Sequence, residues 1–168
     1  MAREAGAHVI VTAGSDEKCE RCRALGADVA VNYREAEFAE AVKEATGGAG
    51  VDVILDSIGG PYLEPNLASL ALDGRLVLIG MMGGAQAEIG LGALLMRRLQ
   101  VMGSTLRARP ESEKAELARA FTARFGQALE SGALRPIIDS VLPLAEAAEG
   151  HRRMKASEHF GKILLKVG

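Results

Sequence analysis

The chain lacks several features that would mark particular classes of protein. Aromatic residues make up only 4% of its 168 residues, and tryptophan is absent. No apolar run approaches the roughly 18 residues needed to cross a membrane, and the charges nearly balance at a net −2. These values argue against a helical membrane span, a surface for nucleic acid or anionic lipid, and a β-sandwich.

Neither the two cysteines nor the amino-terminal residues carry a metal or targeting signal. Cys19 and Cys22 have C-x-x-C spacing, but the sequence shows no second ligand pair and no thioredoxin-like context. We therefore interpret both as helix residues and predict no metal site. The first six residues lack the apolar core of a signal peptide, which predicts a cytoplasmic protein.

Apolar runs alternate with amphipathic segments along most of the chain. This alternation predicts an α/β fold with a doubly wound parallel sheet. The glycine-rich stretch at residues 83–92 predicts a mobile loop. The predicted strands lie at residues 8–12, 29–32, 51–56, 75–80, 99–104, 138–142 and 162–167.

Two of these strands end in glycine-rich segments. Strand 51–56 leads into Ser57–Ile58–Gly59–Gly60, and strand 75–80 leads into Met81–Met82–Gly83–Gly84. Ligands of open parallel sheets bind outside the carboxyl ends of the strands, where glycine allows a ligand to approach the backbone. The sequence therefore predicts a nucleotide site at these exits, although no glycine-rich phosphate loop precedes the first strand.

The end of the first strand favours NADP over NAD. A carboxylate at such a strand end accepts bonds from the ribose hydroxyls of NAD, whereas the small residues at 13–14 leave room for a 2′-phosphate. Ser15 can donate a hydrogen bond, and Lys18 supplies a positive charge. The alternative is a helix capped by Ser15 with a solvated lysine, and Asp16 and Glu17 would repel a phosphate.

Further polar residues follow the second and third predicted strands. Tyr33 and Arg34 place a phenol and a guanidinium where they suit an adenosine phosphate, although Tyr33 is also typical of a half-buried wall. Ser57 lacks the G-x-S-x-G frame of a hydrolase nucleophile, so a serine hydrolase is not predicted. Ser57 and Gly59 instead suit a cofactor ribose, with Asp56 bonded to nearby loop backbone.

An ordered set of short motifs runs through the whole chain. In their order, these motifs resemble the zinc-free medium-chain dehydrogenases/reductases, and most closely the NADPH:quinone oxidoreductases of the ζ-crystallin and tumour-suppressor-induced branches. The resemblance implies transfer of hydride from NADPH to a quinone or enone acceptor, without a metal. The motifs are TAGS at 12–15, LGAD at 25–28, NY at 32–33, GAGVD at 48–52, ILDSIGG at 54–60, LDGR at 72–75, LIGMMGG at 78–84 and FGKILL at 160–165.

The same resemblance implies a set of cofactor contacts and a homodimer. The dimer would pair the strand from Leu99 to Ser104 across a two-fold axis. No residue is singled out as a catalytic proton donor. The implied contacts are Ser15, Lys18 and Tyr33 on the 2′-phosphate side, Ser57 and Gly59 near the ribose and pyrophosphate, Gly80, Met81, Met82 and Gly83 at the nicotinamide end, and Leu106 and His159 on closing segments.

The chain also departs from the family pattern. Family members run to about twice its length, and it matches them only beyond their glycine-rich loop. We therefore expect a partial Rossmann domain over residues 1–135, lacking its first strand and phosphate loop and leaving strand edges unpaired. Residues 136–168 would form a strand–helix–strand segment that joins the catalytic domain in the family.

This departure predicts that the chain is inactive by itself. The alternative is a non-catalytic module for nucleotide binding or dimerisation. An S-adenosylmethionine methyltransferase is disfavoured, because such enzymes usually carry a carboxylate where this chain has Ala13 and Gly14.

Overall fold

A computed structural model describes all residues from 1 to 168, and they form two compact units. The first unit comprises residues 2–115, and the second comprises residues 116–168 together with Met1. The strands are β1 (Ile10–Ala13), β2 (Val29–Asn32), β3 (Val51–Asp56), β4 (Leu70–Leu78), β5 (Gln100–Gly103), β6 (Ile138–Pro143) and β7 (Lys162–Lys166). The helices are α1 (Asp16–Ala24), α2 (Phe38–Ala45), α3 (Leu63–Ser69), α4 (Leu91–Arg97), α5 (Glu111–Glu130) and α6 (Ala147–Lys155).

Every strand pairing in the first unit is parallel, as the alternation of segments predicts. β1 pairs with β2, and a separate sheet has the order β3–β4–β5. A common doubly wound sheet has the strand order 3-2-1-4-5-6. Removal of its first strand leaves the groups 3-2 and 4-5-6, which are the two sheets of this unit. The predicted Rossmann fold without its first strand is thus confirmed, and β1 and β3 each pair on one side only.

The core of the three-stranded sheet lies between β4 and α3. Leu70 and Leu76 are fully buried and pack with Leu67 of α3. β4 begins at Leu70, five residues before the predicted start, so Leu70 belongs to the strand rather than to the helix before it. The strand can begin early because Val51 of β3 already pairs with Leu70.

Helix α4 occupies the end of the stretch predicted as a loop. It begins at Leu91, and two arginines attach its carboxyl end to the core. Arg97 Nη1 donates to the Leu67 carbonyl oxygen at 3.1 Å, and Arg98 makes a bidentate ion pair with Asp73 at 2.7 Å for both bonds. Only the first two residues of α4 lie within the stretch 83–92 that is predicted as a loop, and these contacts fix the other end of the helix.

The second unit contains a parallel pair of strands, β6 and β7, with α6 between them in the chain. The Phe160 N–H donates to Asp139 Oδ1 at 2.8 Å, which fastens the segment before β7 to β6. On α6, bonds from Arg152 and Arg153 lower the pKa of Glu149 to about 2. This arrangement agrees with the strand–helix–strand expectation for residues 136–168. The division at 135/136 stays a prediction, since contacts within the chain divide it at 115/116.

None of the helices is both long enough and apolar enough to cross a membrane.

Candidate functional site

The site predicted from the sequence lies at the carboxyl ends of parallel strands. Within each sheet these ends share one edge, so residues that follow neighbouring strands come together. In the first unit this produces two groups, one after β1 and β2 and one after β3 and β4.

Tyr33 and Arg34 lie across the backbone at the end of β1. A methyl group placed on Gly14 would lie 2.7 Å from Tyr33 Oη and 3.6 Å from Arg34 Nε. A side chain at position 14 would therefore displace the phenol from its present position. Tyr33 is 44% exposed, which leaves it open to a ligand. The structure thus brings a hydroxyl and a cation from the β2 exit onto the β1 exit.

Ser15 is the N-cap of α1, as the alternative interpretation anticipates. Its Oγ accepts a bond from the Lys18 backbone N–H at 3.3 Å. A hydroxyl that accepts one bond still has its own proton to donate, so the cap is compatible with ligand contact. Lys18 itself is half-buried on the first turn of the helix.

The two carboxylates of this turn differ in their surroundings. Asp16 Oδ1 accepts a bond of 2.9 Å from Asn32 Nδ2, at the end of β2. Glu17 is exposed. The sequence indicates that both acids would repel a phosphate but does not predict the bond from Asn32 to Asp16. The sequence marks Asn32 only by its position beside Tyr33 at a strand end.

Asp56 organises the exit of β3. It is only 5% exposed, and its carboxylate accepts bonds from the backbone N–H groups of Ile58 at 2.8 Å and Gly59 at 3.0 Å. Such charge-assisted bonds hold a turn firmly. The prediction that Asp56 bonds to nearby loop backbone is confirmed.

The two glycine-rich exits pair with each other. Gly60 N donates to the Gly84 carbonyl oxygen at 2.9 Å, and Met82 N donates to the Ser57 carbonyl oxygen at 3.0 Å. Gly59 has a φ of +86°, and a Cβ there would lie 2.6 Å from the Gly84 oxygen. The close approach that requires glycine is therefore between the loops, whereas sequence reasoning attributed it to a ligand.

The remaining predicted contacts are distributed as follows. Met81 and Met82 are 62% and 77% exposed. Leu106 is also exposed and follows β5. His159 belongs to the second unit, where its Nδ1 is buried without a hydrogen-bond partner. Gly80 and Gly83 lie in the paired exits described above.

The cysteines lie on α1 as free thiols, Cys19 buried and Cys22 half-buried. Burial raises the pKa of both thiols above the ordinary value. No group of three or more His, Cys, Asp or Glu side chains in the chain could hold a metal ion.

Comparison with known proteins identifies the family. A family model described as zinc-binding dehydrogenase matches residues 1–123. The chain belongs to this family. The resemblance to medium-chain dehydrogenases/reductases is thereby confirmed, although the residues of this chain offer no zinc site.

Two curated relatives are similar over nearly the whole chain. Quinone oxidoreductase-like protein 2 of Bos taurus is 32% identical over 161 residues, which cover 96% of this chain and 46% of the relative. A 2-haloacrylate reductase of a Burkholderia species is 36% identical, covering 98% of this chain and 49% of the relative. The chain thus spans about half the length of these relatives.

Solved structures of the family superimpose well on this fold. A crystal structure of an NAD-dependent alcohol dehydrogenase gives a TM-score of 0.84 at 36% identity, covering 99% of this chain and 46% of that one. The mycobacterial protein Rv1454c, complexed with NADPH, gives a TM-score of 0.79 at 29% identity, covering 99% of this chain and 52% of that one.

The bonds to Asp56 generate a prediction about the β3 exit. Replacing Asp56 with Ala leaves the N–H groups of Ile58 and Gly59 without an acceptor, at a cost of about 1–3 kcal/mol. We expect faster amide hydrogen exchange at both residues and a lower melting temperature. Asp52→Ala is the matched control, because Asp52 is an exposed residue of the same strand. Unchanged exchange at Ile58 and Gly59 would contradict the role assigned to Asp56.

Proposed function

We propose that the chain is the carboxyl-terminal, cofactor-binding part of a cytoplasmic, NADPH-dependent oxidoreductase that reduces a quinone or enone. The observation that carries this proposal is the approach of Tyr33 and Arg34 to Gly14, the residue before Ser15, where two parallel strands end. A serine hydroxyl, a phenol and a guanidinium form a donor set that suits a 2′-phosphate.

The choice of NADP over NAD rests on which residues the strand exits carry. β1 ends without the carboxylate that accepts ribose hydroxyl bonds in NAD sites. The one carboxylate nearby with a defined partner, Asp16, is bonded to Asn32. Both cofactors occur among similar proteins, since one solved relative is complexed with NADPH and another is described as NAD-dependent.

The acceptor class is proposed from the relatives. One is named as a quinone oxidoreductase-like protein and the other as a reductase of 2-haloacrylate. Quinones and haloacrylates both contain an electron-poor double bond, which accepts hydride readily. A bound nicotinamide supplies that hydride, while the protein provides binding and orientation. We assign no catalytic residue and propose that no zinc takes part.

The remaining contacts are proposed from their positions at the strand exits. Ser57 and Gly59 would approach the ribose and pyrophosphate, and the segment from Gly80 to Gly83 would approach the nicotinamide. Leu106 would contribute from the segment after β5, and the cofactor contact of His159 stays a prediction. In this proposal the segments after β3 and β4 act as a rigid surface, because their backbone N–H and C=O groups already form hydrogen bonds with each other.

A first prediction tests the 2′-phosphate site. Replacing Tyr33 with Phe removes one donor to the phosphate, and hydrogen bonds to charged groups contribute about 1.5–3 kcal/mol. We expect binding of 2′,5′-ADP, followed by NMR titration, to weaken about tenfold or more, with 5′-AMP affected less.

Tyr62→Phe serves as the matched control, because Tyr62 is the other tyrosine of the chain and its ring packs on Phe38 at 5.0 Å. If Tyr33→Phe and Tyr62→Phe bind 2′,5′-ADP equally well, the proposed site is wrong.

A second prediction concerns activity. We expect the purified 168-residue chain to show no NADPH-dependent quinone reduction. In this chain β1 and β3 each have a partner strand on one side only, and its sequence contains no glycine-rich phosphate loop before β1. The assay is the loss of NADPH absorbance with and without quinone. Turnover that falls in a Tyr33→Phe preparation at NADPH concentrations below saturation would show that the chain is active alone.

The alternative function is a non-catalytic module for nucleotide binding or for dimerisation. The edge strand β5 favours dimerisation. All four residues of β5 are exposed, and its only partner is β4. We propose that the segment from Leu99 to Ser104 pairs across a two-fold axis to form a homodimer. This pairing would occur in either function.

A third prediction tests the dimer. Because Ser104 N donates to β4 and the direction alternates along a parallel strand, the Val101 N–H points away from β4. Val101→Pro therefore removes an outward donor and spares the pairing with β4. We expect sedimentation to show a dimer for the wild type and for Val101→Thr, but a monomer for Val101→Pro. A monomeric wild type would refute the dimer.

A further inference from the structure

The side chain of Asn32 connects the exits of β1 and β2. Its Nδ2 donates to Asp16 Oδ1 at 2.9 Å, and its Oδ1 accepts from the Arg34 backbone N–H at 3.2 Å. The orientation of the amide follows from these partners, since a carboxylate needs a donor and an N–H needs an acceptor. The Asn32 side chain thus restrains both the Asp16 carboxylate, which follows β1, and the backbone of Arg34, which follows β2.

Asp16 is the charge that bears most directly on nucleotide choice. It follows Ser15 in the chain and lies on the first turn of α1, so a phosphate bound at Ser15 would lie close to it. Two negative charges within a few ångströms repel, and water around the exposed Asp16 reduces this repulsion without removing it. A carboxylate free to turn toward a ribose would instead accept a bond from its 2′-hydroxyl, which is the arrangement that selects NAD.

We propose that Asn32 is a positioning residue for the nucleotide site. By holding the Asp16 carboxylate at the end of β2, it favours adenosine nucleotides with a 2′-phosphate over those with a 2′-hydroxyl. This role rests on the proposed function and names a determinant of specificity within the same site. Glu17, the other acid of the turn, is exposed and has no bond to Asn32 among those described, so it is unaffected by this restraint.

The experiment measures the ratio of affinities for 2′,5′-ADP and 5′-AMP by NMR titration of the full chain. Asn32→Ala releases Asp16, and we expect the preference for 2′,5′-ADP to fall about threefold to tenfold. Adding Asp16→Asn removes the released charge, so the double variant should recover the wild-type preference. Melting temperatures confirm that each variant is folded.

Glu17→Gln is the matched control. It removes a neighbouring charge without touching the Asn32 contact, so its effect should be the same in the wild type and in Asn32→Ala. Asp16→Asn should act much more strongly in Asn32→Ala than in the wild type, which is a coupling that a double-mutant cycle measures.

Three results would overturn the proposal in distinguishable ways. A preference unchanged in Asn32→Ala removes the role of Asn32 and leaves the proposed function intact. Equal weakening of both nucleotides, without recovery in the double variant, assigns Asn32 a merely structural role. A wild type with no preference for 2′,5′-ADP refutes the NADP site itself, and the role of Asn32 with it.

Discussion

The parallel pairing of β3 with β4, continued beyond the ends of both strands, is the constraint on which the first unit depends. Below the strand ends, Leu70 and Leu76 are fully buried and join the sheet to α3. Beyond them, Asp56 fastens the first turn, and Gly59 pairs with Gly84. The backbones approach so closely that a Cβ on Gly59 would lie 2.6 Å from the Gly84 oxygen, so the pairing requires glycine at position 59.

The exits of β1 and β2 are organised by electrostatics rather than by buried apolar surface. Tyr33 and Arg34 approach Gly14, and Asn32 binds Asp16, one of the two carboxylates that follow Ser15. Each of these contacts is partly exposed and weak individually. They place Tyr33 and Arg34 beside Gly14, whereas the segments after β3 and β4 are joined by backbone hydrogen bonds. The two groups of exits therefore differ in what they could offer a nucleotide.

Local patterns were enough to predict most of the fold. β2 and β3 have the bounds that their apolar runs predict, and Ser15 caps α1 as its spacing indicates. Other features depend on distant residues and escaped prediction. Helix α4 is held by Arg97 and Arg98 through contacts with α3 and β4. Their partners, Leu67 and Asp73, lie 30 and 25 positions earlier in the chain, and no local pattern reveals them.

For the candidate site, the sequence by itself determined which residue types follow each strand, because chain order places them there. It also determined the family, through motifs whose order is readable without a structure. Only the tertiary structure decided what these residues touch: Gly59, which follows β3, pairs with Gly84, which follows β4, and Asn32 contacts Asp16 across 16 positions of the chain. The physical reason is that such contacts depend on the register in which neighbouring strands pair, and the sequence of one strand alone does not specify that register.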